Sequence, residues 1–337
     1  MVNKDTFKAL VVDKAESEPS ELVATVKQLN VADLPEEDVL IQVDYSTLNY
    51  KEGLGFANRN KIFRFFPMVP GVDLAGTVVE SNSPDFNPGD QVILNGWSVG
   101  ERYWGGYAQM ARIKSDFLIP LPQGMDTRKA MSIGTAGYTA MLMVMTLEEA
   151  GVTPGSGPVI VTGATGGVGS NAVAILAKLG YEVTALTRSR QASIHDYLRQ
   201  IGAKEIAGGE EWTMMPSPLE TQKWAGAVDN VGSKVLARLL SEMKYGGCVA
   251  ACGLAGGSDL PATVMPFILR GVSLRGVDSV WCPTPRRIAA WERLVTDISD
   301  AALASINKVI PLEDVPRYAK EILAGNITGH IVIDVNA

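Results

Sequence analysis

Three glycines at a spacing of three, Gly163, Gly166 and Gly169, with Gly167 among them, open the stretch Gly163-Ala164-Thr165-Gly166-Gly167-Val168-Gly169, and a hydroxyl and guanidinium run, Thr187-Arg188-Ser189-Arg190, lies beyond it. Residues without side chains let a polyanion approach backbone N–H groups, and a helix that starts at such a turn adds the positive end of its dipole. The chemistry this suits is the binding of a pyrophosphate, with Ala164, Thr165, Gly166, Gly167, Val168 and Gly169 against it. The elements needed to position such a loop are legible on either side. Val159-Ile160-Val161-Thr162 is apolar and β-branched, as a strand buried on both faces requires. From Ser170 to Leu179 the apolar residues Val173, Ile175, Leu176 and Leu179 recur at helical spacing, Gly180 supplies a stop, and residues 182–186 read as a second strand. The alternative is a glycine turn that only packs a helix on a sheet.

The run at 187–190 selects among dinucleotides. An acid about 20 residues after the glycines normally accepts bonds from a ribose 2′-hydroxyl. No acid stands here. A carboxylate would repel a 2′-phosphate, whereas guanidinium groups bind it through charge-assisted, often bidentate bonds and hydroxyls add donors. Thr187, Arg188, Ser189 and Arg190 are therefore expected to hold the 2′-phosphate of NADPH, the alternative being a solvated loop.

The chain has 337 residues, 46% of them hydrophobic and 20% charged, which is ordinary for a globular protein of about two domains. A net charge of −7 argues against a general affinity for nucleic acid or an acidic membrane surface. The opening residues show no secretory pattern and no apolar run reaches about 18 residues, so a cytoplasmic enzyme with no membrane association is expected. Three cysteines, Cys248, Cys252 and Cys282, and two histidines, His195 and His330, are too few and too scattered for a disulfide framework or a zinc site. No metal is expected.

The first 120 or so residues read as short strands (8–12, 39–45, 76–79 and 91–94) broken by prolines. From about Thr127 helices alternate with apolar strands: a helix at 130–147, the unit already described, a strand at 226–230, a helix at 234–243 and a strand at 247–252. Such alternation implies a doubly wound parallel sheet. The last part returns to mixed elements, with helices at 285–298 and 315–324 and a strand at 330–335. The fold class is α/β.

A β-rich domain interrupted by a dinucleotide domain and then resumed is the layout of the medium-chain dehydrogenase/reductases. The stretches LNYKEG (48–53), FPMVPGVDLAGTV (66–78), GWSVGERYWGGYAQMARIK (96–114), IGTAGYTAML (133–142), VTGATGGVG (161–169), YGGCVAACGLAGG (245–257) and VMPFILRGVSLRGVDS (264–279) resemble the NADPH-dependent acrylyl-CoA reductases, a zinc-free branch related to quinone oxidoreductases. The resemblance implies a GroES-like catalytic domain at 1–126, an NADPH-binding Rossmann domain at 127–270, a catalytic-domain return at 271–337, and a homodimer. Zinc-containing members carry Cys and Gly-His-Glu where this chain has Asn49-Tyr50 and Gly71-Val72-Asp73, and residues 96–106 lack the cysteines of a structural zinc lobe.

Without a metal, the simplest nicotinamide chemistry is conjugate reduction, with hydride delivered to the β-carbon of an activated alkene and charge gathering on the carbonyl oxygen. The resemblance implies acrylyl-CoA as substrate and propionyl-CoA as product; a quinone reductase and a non-catalytic NADPH-binding protein are the alternatives. Tyr50 matches the family's cofactor-contacting tyrosine and Asn49 precedes it; both are expected to face a cleft between the domains and form the catalytic pair, unless the tyrosine ring only packs. Thr135 and Thr139 are expected either to contact the cofactor or to cap a helix. Gly253 and Leu254 follow a strand at its carboxyl end, where ligands of parallel sheets gather, and Asn230 closes another strand. By resemblance Ile268, Ser279 and Asn326 also lie on the cofactor, although the residues alone read Ile268 as core and Asn326 as a turn. Arg59, Lys61 and Arg64 interleave with Phe63, Phe65 and Phe66, which suits an acyl-CoA thioester's phosphates and adenine; a solvated loop over a small apolar cluster is the alternative.

Overall fold

The computed structural model describes residues 5–18 and 21–337, and the chain forms two compact units. The first takes residues up to 135, Ser279–Ile288 and Asn307–Ala337; the second takes Ala136–Asp278 and Ala289–Ile306. The division thus falls at 135 and 278 rather than at 126 and 270, and residues 289–306 rejoin the second unit.

The first unit is built on a seven-stranded sheet whose path runs Asn307–Pro311, His330–Asp334, Val39–Leu48, Asp73–Ser81, Gln91–Asn95 and Leu118–Pro120, with Met110–Ile113 also paired to Val39–Leu48. Only the outermost pair, Asn307–Pro311 with His330–Asp334, is parallel. A hairpin of Thr6–Lys14 and Leu22–Asn30 packs into the same core, which includes Leu10, Ile41, Leu74, Leu94, Tyr107 and Ile331. The short helix Tyr50–Phe56 follows the strand Val39–Leu48 directly, and this order places Asn49 and Tyr50 at a strand end.

The second unit is a six-stranded, all-parallel sheet in the spatial order Glu205–Ala207, Val183–Leu186, Val159–Val161, Trp224–Asp229, Met243–Ala251, Ser273–Gly276. In chain order this is third, second, first, fourth, fifth, sixth, the doubly wound Rossmann arrangement. Its ligand crevice lies beyond the carboxyl ends of the first and fourth strands, where the winding reverses. Every residue of Val159–Val161 and Val183–Leu186 is buried, as strands covered on both faces must be.

The helix Thr127–Glu149 belongs to the first unit up to Thr135 and to the second from Ala136, where Ala136, Tyr138, Met141, Leu142, Met143, Val144 and Leu147 are buried. It is long and apolar enough to cross a membrane by length and composition alone, but most of it is buried inside the protein. It is a core helix, interrupted at Gly134 (φ 53°, ψ −165°).

Candidate cofactor and active site

The first βα turn is shaped by steric limits. Gly163 has φ 57°, which an L side chain rarely adopts. A Cβ on Gly169 would lie 2.2 Å from the Gly163 carbonyl oxygen and 2.7 Å from the Ala164 Cα, so the backbone of this turn closes against the helix only with glycine there. Gly166 is different: a Cβ there meets nothing nearer than 3.5 Å. It is the N-cap of the helix Gly167–Lys178, and no side chain caps that end. The N–H groups of Gly167, Val168 and Gly169 therefore form an open set of donors at the positive end of a twelve-residue helix. The Ser170 hydroxyl braces the turn by donating to the Ala164 carbonyl at 3.0 Å.

The second strand, Val183–Leu186, runs into the loop expected to read the ribose. Thr187 is buried and its hydroxyl accepts the Ser189 N–H at 3.1 Å, while Ser189 Oγ accepts the Gln191 N–H at 3.3 Å. Arg188 and Arg190 are exposed, and neither has an ion-pair partner among the described residues. At the carboxyl end of the fourth strand, Asp229 is fully buried and accepts the Thr162 hydroxyl at 2.7 Å and the Gly232 N–H at 2.9 Å, and burial raises its pKa above the ordinary carboxylate value. The Asn230 amide donates to the Thr162 carbonyl at 2.7 Å, which ties the first and fourth strand ends together. Gly253 lies so close to Asn230 that a Cβ would come within 2.2 Å of the Asn230 carbonyl oxygen. A cavity of about 450 Å³ is lined by Ala251, Cys252, Gly253, Gly276, Val277 and Asp278, at the ends of adjacent strands. Leu254 beside it is 61% exposed, a large apolar group held in solvent.

In the first unit the strand ends converge on Asp73, which is wholly buried. Its carboxylate accepts the Asn95 amide at 2.6 Å, the Asn49 amide at 3.3 Å, the Thr135 N–H at 2.9 Å, and the hydroxyls of Thr47 and Thr135. Glu52 is buried next to it. Its carboxylate accepts the Asn49 N–H at 3.1 Å, the reach-back of a capping box, and the Val72 N–H at 3.0 Å. Burial first, and the charge of Asp73 second, raise the Glu52 pKa to about 7. His330, also buried, faces Asn307 at 2.9 Å through Nδ1, and burial lowers its pKa to about 4 against the opposing pull of Asp73. Tyr50 is the exposed member of this set, with 44% of its surface accessible.

Residues 35–123 match the alcohol dehydrogenase GroES-like domain, and residues 167–296 match the zinc-binding dehydrogenase domain. The acrylyl-CoA reductase of Ruegeria pomeroyi is 52% identical over 332 residues, 98% of this chain and all of that one. The chain belongs to the acrylyl-CoA reductase family. An Escherichia coli relative solved with bound NADPH superposes with a TM-score of 0.93 at 51% identity, covering 97% of this chain and all of that one. A putative quinone oxidoreductase of Bacillus subtilis is 46% identical over 97% of this chain and 98% of its own.

Against this acrylyl-CoA reductase scaffold, the residues singled out by sequence divide into groups. The second unit brings together the 164–169 turn, the 187–190 loop, Asn230 and Gly253 at the carboxyl ends of four neighbouring strands. Thr135 is committed through both N–H and hydroxyl to Asp73, and Thr139 is buried within the helix Thr127–Glu149. Ile268 is not core: it is 71% exposed on the short helix Met265–Arg270. The cause is its place on a helix whose buried contacts run through Pro266 and Phe267 instead. Asn326 sits one residue past the left-handed cap Gly325, and its amide donates to Glu321 at 2.8 Å. The Ser279 carbonyl accepts from Arg287 at 3.3 Å. Arg59, Lys61 and Arg64 are exposed on a loop pinned by the buried ring of Phe63, which meets Phe56 edge-on at 5.7 Å, while Phe65 points outward. Sequence reasoning passed over Thr47, Glu52, Asn95 and His330. The Asn49-x-x-Glu52 spacing was a readable capping signal; the others carry no local signal, since only the sheet brings them to Asp73.

Proposed function

We propose that this protein reduces acrylyl-CoA to propionyl-CoA with NADPH: acrylyl-CoA, NADPH and a proton give propionyl-CoA and NADP⁺. The observation that carries the reading is a glycine cradle with open helix N–H donors, followed by a second strand that ends in Thr187-Arg188-Ser189-Arg190 with no acid, in a chain 52% identical end to end to an acrylyl-CoA reductase. The first-turn N–H groups of Gly167, Val168 and Gly169 would hold the pyrophosphate, and Arg188, Ser189 and Arg190 the 2′-phosphate. Bound there, NADPH supplies hydride to the conjugated alkene. Asn230, Gly253, Leu254, Ile268, Ser279 and Asn326 remain our assignments along the rest of the cofactor.

The reacting end needs a donor for the thioester oxygen, which gains charge as the alkene is reduced. Tyr50 is our assignment, because its hydroxyl has no acceptor among the described residues and its ring is half exposed. Asn49 is a positioning residue, since its amide donates to Thr47 at 3.0 Å and to Asp73, and its N–H to Glu52. Thr135 serves the same network. Arg59, Lys61 and Arg64 are assigned to the CoA phosphates. We read the chemistry as metal-free because the positions of the zinc ligands in zinc-containing relatives are Asn49-Tyr50 and Gly71-Val72-Asp73, and both oxygens of Asp73 are saturated by internal donors. A cytoplasmic homodimer without membrane or nucleic-acid partners completes the reading.

The test is NADPH oxidation with acrylyl-CoA, free acrylate and a benzoquinone. Acrylyl-CoA should lead by orders of magnitude in kcat/KM, because an ionised carboxylate resists further charge and lacks the CoA handle. Comparable efficiency with acrylate or the quinone refutes the assignment.

A further inference from the structure

The helix Ala192–Gln200 reaches both halves of the dinucleotide site. At one position the Tyr197 hydroxyl donates to Ser170 Oγ at 2.8 Å, and Ser170 in turn holds the Ala164 carbonyl of the glycine turn. Two residues earlier, His195 Nε2 lies 2.9 Å from the carbonyl oxygen of Ser189, inside the loop of hydroxyls and arginines. A carbonyl only accepts, so Nε2 carries the proton in this contact.

The contact fixes a peptide plane. The Ser189 N–H is spent on Thr187 Oγ1 and the Gln191 N–H on Ser189 Oγ, so both neighbouring amides are engaged. In a trans peptide the carbonyl oxygen and the following N–H point in opposite directions. Holding the Ser189 carbonyl on the imidazole therefore turns the Arg190 N–H to the other side, where it has no acceptor among the described residues. Because Ser189 Oγ accepts from Gln191, the Ser189 hydroxyl proton is also left to donate outward.

The geometry points to His195 as a positioning residue for dinucleotide choice: through the Ser189 carbonyl it orients the Arg190 N–H and the Ser189 hydroxyl as donors to a 2′-phosphate, supplementing the two guanidinium groups. The inference rests on the NADPH reading above and adds to it a residue outside the binding loop. Among the described residues only one other histidine exists, His330, and it lies in the other unit.

The experiment is fluorescence titration of native, His195→Ala and His195→Gln proteins with NADPH and NADH, together with calorimetric titration with 2′,5′-ADP and 5′-AMP. A lost bond of ordinary strength predicts a fall of about five- to tenfold in NADPH and 2′,5′-ADP affinity for His195→Ala, with NADH and 5′-AMP within about twofold of native. His195→Gln, whose amide can again donate to the carbonyl, should restore most of the discrimination. Native-like NADPH affinity in His195→Ala, an equal loss for both dinucleotides, or failure of Gln to rescue overturns the inference while leaving the NADPH reading intact. Equal affinity of the native protein for NADPH and NADH removes both.

Discussion

Two alanine substitutions three chain positions apart should have opposite signatures if the glycine turn works as its geometry indicates. In Gly169→Ala the new methyl would sit 2.2 Å from the Gly163 carbonyl oxygen and 2.7 Å from the Ala164 Cα, both backbone atoms that cannot rotate away. Overpacking costs about 1–3 kcal/mol, and contacts this short with backbone lie in the upper part of that range, about 2–3 kcal/mol, against about 1 kcal/mol returned by replacing glycine within a helix. A net loss of about 1–2 kcal/mol in apoprotein stability is expected. In Gly166→Ala the nearest atom is 3.5 Å away and the backbone angle is ordinary, φ −82°, so the folded chain absorbs the methyl at the cost of a poorer N-cap, about 0.5–1 kcal/mol. That methyl nevertheless stands at the mouth of the open N–H donors, and NADPH affinity should drop tenfold or more. Urea denaturation of the apoproteins and NADPH fluorescence titration read the two effects separately. Native binding by Gly166→Ala would refute the placement of the pyrophosphate, and native stability of Gly169→Ala would refute the close-packing account of the turn.

Replacing Arg188 and Arg190 together by Ala should raise the Michaelis constant for NADPH by about a hundred- to ten-thousandfold, at about 1.5–3 kcal/mol for each of two charge-assisted contacts, and leave that for NADH nearly unchanged; parallel kinetics with the two cofactors check it. Tyr50→Phe should lower kcat with acrylyl-CoA while NADPH affinity stays within a few-fold, and an unchanged kcat would reduce Tyr50 to a packing role. Glu52 titrates near 7 in the fold against an ordinary value of 4.5, so the folded state holds its proton more tightly; its contribution to stability is complete below 4.5 and is lost as pH rises through 7. The stability of the native protein relative to Glu52→Gln should therefore decline between those values, by up to about 3 kcal/mol, and stay flat outside them. Comparing the two proteins cancels His330, whose pKa, lowered to about 4, produces the opposite slope on the acid side, and a difference independent of pH would show that Glu52 is not so perturbed.

The second unit was largely legible in the sequence because its signals are local. The strand at 159, the glycines and the strand at 183 each carry composition and spacing that need no tertiary information, and the helix begins at Gly167 rather than Ser170 only because its first turn is written in glycine. The first unit was less so. The strand Leu22–Asn30 sits in a separate two-stranded hairpin and has no fully buried residue, so its apolar face is weakly marked, and Met110–Ile113 and Leu118–Pro120 are too short to declare themselves. The helix Asp300–Ile306 and the strand Asn307–Pro311 also went unread, being short elements joined without a turn residue between them. The Asp73 cluster draws Thr47 and Asn49 from the end of one strand, Asn95 from the end of another and Thr135 from the helix Thr127–Glu149. Long-range convergence of that kind has no periodicity to find.

The interruption at Gly134 bears on how rigidly a long segment behaves. A side chain there would strike Thr47 Cγ2 at 2.8 Å and His330 Cε1 at 2.9 Å, so the break is enforced by the packing around it. One residue later, Thr135 hands its N–H to Asp73 rather than to the preceding turn. The ladder of helical amides is thus cut where the first unit ends, and 127–149 is two springs in series instead of one rod. Amide hydrogen exchange should show it: protection on the 136–149 side should follow the opening of the second unit, and protection on the 127–133 side that of the first.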